Sequence, residues 1–146
     1  MPDIAFTIPG IPVAQPRQRH RVVSAGNRVF ATNYTPRKDP VNSFKAAAMY
    51  AAQQAYDGPP LDGPVKVSVV FAMPRPARLV WKKRPMPREM HVGKPDIENL
   101  VKSLLDAMTG ILWRDDAQVC SLNAFKVIAA GEESPHVALV VQEYCY

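Results

Sequence analysis

Residues 96–110 of this chain read DIENLVKSLLDAMTG. The apolar residues in this stretch recur three or four positions apart, a spacing that places them along one side of an α-helix. They are Ile97, Leu100, Val101, Leu104, Leu105 and Met108. Asp96 suits the N-cap of such a helix, and Gly110 suits its C-terminal end. We therefore predict an amphipathic helix over about residues 97–109, with its apolar side packed on a core.

The segments around this helix predict a small mixed β-sheet. Apolar residues alternate along residues 65–73 and, over a shorter run, along residues 4–8, so both segments are predicted strands. Two β-prone runs within residues 21–34 flank Gly26 and predict a hairpin. Residues 119–130 and 137–144 are rich in β-branched and apolar residues, and we predict a terminal pair of strands joined by a turn.

A second helix is predicted between the hairpin and the strand at residues 65–73. Asp39 and Pro40 supply an N-cap followed by proline at the first helical position. Apolar residues then recur at helical spacing up to Ala55. The fold class is therefore α/β or α+β: a small mixed sheet with two main helices, in a single domain over residues 1–146. A chain of this length buries enough surface to form a core without a disulfide or a metal.

Composition also bounds the setting of the protein. No apolar run approaches the roughly 18 residues that a membrane span requires, so we expect no membrane association. The first residues lack the basic and long apolar regions of a secretory signal, which favours the cytoplasm. Cys120 and Cys145 lack metal-ligand spacing, and we expect them to be reduced and ordinary, either buried or terminal.

The positive charge is concentrated in a proline-rich segment at about residues 74–95, here called the basic loop. Between Arg75 and Lys94 it carries seven basic residues and one acid, so the net charge of this segment is +6, whereas that of the whole chain is +5. Prolines sustain neither a helix nor a central strand, so we predict a long extended loop. A localised basic surface attracts polyanions, and nucleic acid is favoured over the alternative of a solvated linker.

Acidic residues follow the basic loop directly. Asp96 and Glu98 have an ordinary explanation, because an N-cap and an acid in the first turn both stabilise a helix. Glu98, Lys102 and Asp106 are spaced for ion pairs along an exposed face. However, a second acidic pair, Asp115-Asp116, comes after the helix. Carboxylates beside a cationic surface are the residues that Mg²⁺-dependent phosphodiester hydrolysis requires.

Two segments resemble a known family. Residues 94–102, KPDIENLVK, and residues 113–119, WRDDAQV, resemble the signature of the RusA Holliday-junction resolvases, which are small dimeric Mg²⁺-dependent endonucleases. The resemblance implies that Asp96, Glu98 and Asp116 are the catalytic, metal-binding carboxylates and that Lys102 is a catalytic lysine. It further implies a homodimer acting on branched DNA. Glu98 departs from the pattern, since the family commonly has Asp at this position.

Further residues are candidates for DNA binding. Arg17, Arg19 and Arg21 alternate, so in an extended segment they face one side, as suits contacts with successive phosphates. In the basic loop the candidates are Lys82, Lys83, Arg84, Arg88 and Lys94. Trp81 either stacks on an unpaired base or anchors the loop on the core. We interpret His91 as incidental, Trp113 as a core residue, and Asp115 as either a ligand or an acid at the start of a strand.

The position of Asp116 raises a geometric question. The predicted helix separates it from Asp96 by roughly 20 Å along the helix axis, too far for both to bind one metal ion. Either residues 110–114 fold back almost fully extended, or Asp116 of a second subunit completes the site. We favour the second arrangement, with two helices antiparallel about a two-fold axis.

The leading functional hypothesis is therefore a Mg²⁺-dependent, structure-selective endodeoxyribonuclease that resolves Holliday junctions in recombination and repair, of phage or prophage type. Two alternatives remain open. One is a flap or fork nuclease of the same chemistry. The other is a non-catalytic basic DNA-binding module whose acids only cap a helix.

Overall fold

The predicted amphipathic helix is present as α2, Ile97–Met108, with Asp96 at its N-cap position and Thr109 at its C-cap position. The computed structural model describes residues 3–16, 19–26, 28–34 and 38–144. Its other helix, α1, spans Pro40–Ala55 and begins as predicted, because Asp39 accepts a hydrogen bond from the Val41 backbone amide. The strands are β1 Ile4–Pro9, β2 Arg19–Ala25, β3 Arg28–Tyr34, β4 Val65–Met73, β5 Glu89–Met90, β6 Val119–Ile128 and β7 His136–Glu143.

Five of these strands form one mixed sheet, in the order β1-β7-β4-β6-β5. The central strand β4 is parallel to β6 and antiparallel to β7. Strands β2 and β3 form a separate antiparallel hairpin at the predicted place. The mixed sheet and the two helices confirm the predicted α+β class.

The prediction that the last two strands pair with each other is wrong. β4 lies between β6 and β7 and forms hydrogen bonds with both. The reason is the path of the chain: α2 connects β4 to β6, and such a crossover through a helix places two parallel strands side by side. The turn after β6 then passes over the end of β4 before β7 runs back along its other edge.

The main core lies between the sheet and the two helices. Alternate residues of β4, among them Val67, Val69 and Phe71, are buried there. Leu100 and Leu104 of α2 belong to the same core, as the helical spacing predicted. Trp113 is fully buried as predicted. No helix in the described part of the chain is long and apolar enough to cross a membrane.

Cys120 corrects one expectation, because this thiol is exposed near the start of β6. The residues of β6 before Val127 are all exposed or half-buried, so the thiol lies in a part of the strand that the rest of the protein covers only partly. Cys145 lies outside the described residues.

Candidate active site and DNA-binding loop

Asp96 occupies the N-cap position of α2 but does not use its carboxylate as a cap. Its backbone is extended, with φ −69° and ψ 140°, and its side chain makes no capping hydrogen bond. Instead the carboxylate accepts a 3.0 Å hydrogen bond from Lys94 Nζ, and 46% of its side chain is exposed. Asp96 therefore stands at the N-cap position of the helix, but its carboxylate is not bound to the helix amides. A ligand can replace Lys94 as the partner of this carboxylate.

A surface pocket of about 500 Å³ brings Asp96 and Glu98 together. Its lining also includes Lys94, Ile97 and Lys126. The alternative role for Glu98, an ion pair with Lys102 along the helix, is not formed among the described residues, although both side chains are exposed. Two carboxylates therefore face one pocket with lysines at its border.

Asp106, the third charged residue in that series, is engaged elsewhere. It forms a 3.5 Å salt bridge with Lys45 of α1. The pair joins the exposed sides of the two helices. Asp106 therefore serves the contact between α1 and α2, and Lys102 is left beside Glu98 on the exposed surface of α2.

Lys126 is a site residue that the sequence reasoning did not identify. It lies on β6 beside Phe71 of β4, and its Nζ donates 2.6 Å hydrogen bonds to the carbonyl oxygens of Gly93 and Pro95. These carbonyls belong to the turn that leads directly into Asp96. A single lysine within the apolar run AFKVI was the only signal in the sequence, and nothing in that run indicates the partners.

His91 lies next to the same turn and is half-buried. Its backbone amide donates a 3.0 Å hydrogen bond to the carbonyl oxygen of Lys126. Burial, and secondarily the positive charge of Lys126, lower the pKa of its imidazole below the usual value. Both effects favour the neutral form of the ring.

Asp116 lies at the opposite end of α2. Its carboxylate accepts a 2.5 Å hydrogen bond from Thr109 Oγ1, the C-cap residue of the helix. The same hydroxyl oxygen accepts a 3.1 Å hydrogen bond from the indole Nε1 of Trp113. Thr109 and the buried indole thus fix the place of Asp116, which is itself exposed.

Asp115 has a structural partner of its own. It caps the short 3₁₀ turn Asp116–Gln118, where its carboxylate accepts a 2.9 Å hydrogen bond from the Ala117 amide. The Gln118 side chain bonds back to the Asp115 amide and completes a capping box. This arrangement favours the structural interpretation of Asp115 over a role as metal ligand.

One chain does not bring the predicted metal ligands together. The twelve residues of α2 span about 18 Å at 1.5 Å per residue, with Asp96 at one end and Asp116 at the other. The alternative in which residues 110–114 fold back extended is wrong, because they form a tight turn closed by a 2.7 Å bond from the Gly110 amide to the Trp113 carbonyl. Among the described residues, no three His, Cys, Asp or Glu side chains are grouped as a metal site.

The donor set nevertheless fits a hard divalent cation. Asp96 and Glu98 are exposed carboxylates in one pocket, and carboxylate oxygens are the ligands that Mg²⁺ prefers. Mg²⁺ is often held by one or two protein carboxylates together with phosphate oxygens and water. The pocket thus provides two of the three predicted ligands, and Asp116 provides an acid of the same type at the other end of the helix.

The basic loop is more ordered than the prediction of an extended loop. It contains a 3₁₀ turn, Ala77–Leu79, and the short strand β5. The Arg75 guanidinium organises it by donating to the carbonyl oxygens of Leu79, Pro87 and Ala129 and to the Glu89 carboxylate. Only 6% of the Arg75 side chain is exposed. This arginine is therefore a structural hub of the loop and is not presented to a ligand.

Trp81 and Arg84 lie against this hub. The Arg84 guanidinium carbon is 4.0 Å from the centre of the Trp81 ring, and that of Arg75 is 5.3 Å away. Cation–π contacts of this kind stabilise a loop against its own core. The structure thus favours the anchoring interpretation of Trp81, since stacking on a base requires an arginine to move.

The remaining DNA-binding candidates differ in how free they are. Arg88 forms a bidentate pair with Glu133, with distances of 2.8 and 2.6 Å. Hydrogen bonding to Glu133 raises the pKa of Arg88, and that from Arg88 lowers the pKa of Glu133 to about 2. Lys82 and Lys83 are exposed, and no ion pair forms at either within the described ranges. These two lysines are therefore exposed charges of the loop that a phosphate can reach.

The arginine arm is described only in part. Arg17 lies outside the described residues. Arg19 and Arg21 lie in β2, where they pair with Tyr34 and Thr32 of β3. Their assignment to DNA binding stays a prediction.

A basic α+β domain with paired carboxylates in a lysine-bordered pocket, next to an ordered cationic loop, fits the class of nucleic-acid-processing enzymes. Residues 9–142 match the family described as endodeoxyribonuclease RusA. The chain therefore belongs to the RusA family, which confirms the resemblance seen in its two motifs. The family implies an endonuclease that resolves Holliday junctions and hence a branched DNA substrate.

The chain is also similar to a protein of Bacillus subtilis (strain 168), the uncharacterized protein YqaN. The two are 29% identical over 150 residues, and the alignment covers 98% of each chain. The similarity thus extends over essentially the whole length of both proteins.

Proposed function

We propose that this protein is a Mg²⁺-dependent endonuclease that resolves Holliday junctions as a homodimer, in recombination and repair of DNA, of phage or prophage type. The observation that carries the proposal is the Asp96 carboxylate. It sits at a helix start without capping the helix, and it shares a pocket with Glu98. A carboxylate that only stabilised α2 would bond to its first amides, as Asp39 does in α1.

In the proposed mechanism Asp96, Glu98 and Asp116 would hold the metal ion. When bound, Mg²⁺ would polarise the scissile phosphate and lower the pKa of the attacking water. Lys102, on the exposed surface of α2 beside Glu98, would hold a phosphate oxygen and offset the negative charge that develops during hydrolysis. Lys94 forms an ion pair with Asp96. When metal and substrate bind, Lys94 would release this carboxylate and pair with a DNA phosphate.

The proposed active site needs two chains. The two ends of α2 keep Asp96 and Asp116 apart within one chain, so the third carboxylate would come from a second copy. Two symmetric sites also suit the substrate, because a four-way junction is resolved by two symmetric cuts. The exposed Lys82 and Lys83 would bind phosphates of the junction arms.

The test is cleavage of a synthetic four-way junction, compared with a flap, a fork and linear duplex of the same sequence. We expect cleavage of the junction with Mg²⁺ and none with EDTA. Asp96→Asn should abolish cleavage while preserving junction binding. Asp106→Asn is the matched control, since Asp106 is a half-exposed acid of the same helix that pairs with Lys45. Preferential cleavage of flaps or forks would favour that alternative, and binding without cleavage by a folded wild-type protein would favour the DNA-binding module.

A further inference from the structure

The β2–β3 hairpin carries apolar side chains that the protein does not cover. Within the described part of the chain its two strands pair only with each other and form a sheet of their own. Val22 is 73% exposed and Val29 is 69% exposed. They share one face of the hairpin, because Val29 pairs with Ser24, two residues beyond Val22. A lone two-stranded hairpin is only marginally stable in water, so packing within the chain does not explain these exposed valines.

The hairpin lies in a strongly cationic part of the sequence. No Asp or Glu occurs from residue 4 to residue 38, whereas six basic residues do. They are Arg17, Arg19, Arg21, Arg28, Arg37 and Lys38. Arg28, within the hairpin itself, is exposed. A segment with this charge attracts a polyanion, so nucleic acid is the partner that its charge favours for the hairpin.

The segment that leads into the hairpin runs along α2 toward the start of that helix. Ser103 Oγ donates a 2.7 Å hydrogen bond to the carbonyl oxygen of Val13. Two residues later, the Gln15 amide donates a 2.9 Å hydrogen bond to the carbonyl oxygen of Asn99. Arg19, the first residue of β2, comes four residues after Gln15 and is therefore at most about 14 Å from it. The hairpin is thus rooted near the start of α2, where the candidate metal pocket lies.

The size and the side chains of the hairpin suit a contact with DNA bases. Each strand has seven residues and spans about 23 Å at 3.3 Å per residue, and a two-stranded ribbon fits the major groove, which is about 12 Å wide. A valine binds no phosphate, but apolar side chains can enter between base steps at the cost of unstacking them. This cost is lowest where bases are already unpaired or unstacked. In branched DNA, that place is the branch point.

We propose that the β2–β3 hairpin reads the branch point of a DNA junction, with Val22 and Val29 packed on base faces that are open where the arms meet. This proposal rests on the proposed function, because it names the part of the protein that selects branched DNA for the same site. The basic residues of the segment strengthen binding to any DNA. The two valines strengthen binding only where base faces are open, so affinity and selectivity reside in different side chains.

The first test is binding of the full chain to a four-way junction and to linear duplex, in EDTA so that cleavage plays no part. Replacing Val22 and Val29 together by Thr keeps β-branched side chains that suit a strand, and it places a hydroxyl against each base face. We expect junction binding at least about 10-fold weaker, because two hydroxyls lose water without a partner, and duplex binding unchanged. Arg28→Gln should weaken binding to both DNAs, and Tyr50→Gln, at an exposed position of α1, should change neither. Equal losses on junction and duplex in the double variant, or no loss on either, overturn the proposal.

The second test keeps both valines. Ser24→Cys places one thiol on the exposed face of the hairpin in a chain that also carries Cys120→Ser and Cys145→Ser. The thiol is labelled with a benzophenone maleimide and irradiated on junction DNA, and Gln53→Cys on exposed α1 is the control. Cross-links from position 24 should fall within about two nucleotides of the branch point, with none from position 53. Cross-links spread evenly along the arms overturn the proposal even if the valine variant fails to fold.

These readouts do not depend on catalysis, so the proposed function and the role of the hairpin can fail separately. A protein that binds junctions through the two valines and never cuts them with Mg²⁺ would overturn the nuclease and leave the role of the hairpin intact. A wild type that cuts junctions, and a double variant that keeps the same preference for junctions over duplex, would overturn the role of the hairpin and leave the nuclease intact. A hairpin that forms no cross-link to DNA serves another acidic partner, and this result also contradicts the proposal.

Discussion

Replacing Lys126 by Met should reduce catalysis more than it reduces stability. The change removes two 2.6 Å hydrogen bonds from an ammonium group to the carbonyls of Gly93 and Pro95, while the aliphatic stem is largely kept. Hydrogen bonds to charged groups contribute about 1.5 kcal/mol or more each. At the low end of this range, which suits two bonds that are exposed or only partly buried, the pair contributes about 3 kcal/mol to holding the turn that delivers Asp96, which corresponds to roughly a 100-fold change in an equilibrium constant.

The assay is junction cleavage as a function of Mg²⁺ concentration, together with thermal unfolding. We expect Lys126→Met to raise the Mg²⁺ concentration for half-maximal activity and to lower kcat by 10- to 100-fold. Lys126→Arg should recover part of the loss, because it retains charge and donors. Lys66→Met on the neighbouring strand β4 is the control and should leave the Mg²⁺ dependence unchanged. If Lys126→Met lowered only the melting temperature, with kcat and Mg²⁺ dependence intact, the positioning argument would be refuted.

Three further predictions concern charged residues of the basic loop, with the partner of Arg88, and the acid Asp115 next to Asp116. Because Arg88 lowers the pKa of Glu133 from about 4.5 to about 2, their pair stabilises the fold above pH 4.5 and is lost as pH falls toward 2. Glu133→Gln should therefore cost about 1 kcal/mol in chemical unfolding at pH 7, and a cost that persists at pH 2 would contradict this. Replacing both Lys82 and Lys83 by Ala should make the plot of log binding constant for the junction against log salt concentration less steep, by an amount that corresponds to up to about two phosphate contacts. An unchanged slope would exclude both lysines from the DNA interface. Asp115→Asn should keep more than half of the cleavage activity, because its carboxylate caps a turn, and a loss as large as that of Asp116→Asn would make it a ligand.

The parts of the fold that follow from local patterns were predictable. α2 was predicted to within a residue because its apolar spacing, N-cap and terminal glycine all lie within residues 96–110. The hairpin and α1 were predicted for the same reason, from Gly26 and from Asp39 with Pro40. In each case the interactions that define the element are made by residues close in the chain.

Strand order was not predictable from such patterns. Residues 119–128 and 136–143 show the same apolar content whether they pair with each other or with β4. What decides between these arrangements is the packing of α2 on the sheet, which brings together residues far apart in sequence. The result is a parallel neighbour on one side of β4 and an antiparallel neighbour on the other.

The candidate site shows the same division. Asp96, Glu98 and Asp116 were identified from ordered motifs, and their roles remain predictions. Lys126 was not identified, because its partners lie 31 and 33 residues away along the chain. The pairing of the Asp96 carboxylate with Lys94 in place of the helix amides was also not predictable, since a sequence that suits an N-cap does not reveal whether the side chain makes the capping bond.

The central claim is that Asp96 of one chain and Asp116 of another form one active site. It is tested most directly by mixing Asp96→Asn and Asp116→Asn chains, each inactive alone, and measuring Mg²⁺-dependent junction cleavage. A heterodimer contains one site with both substitutions and one with neither, so we predict single-strand nicking at up to about half the wild-type number of sites. A verified heterodimer that cuts neither strand would contradict the shared site.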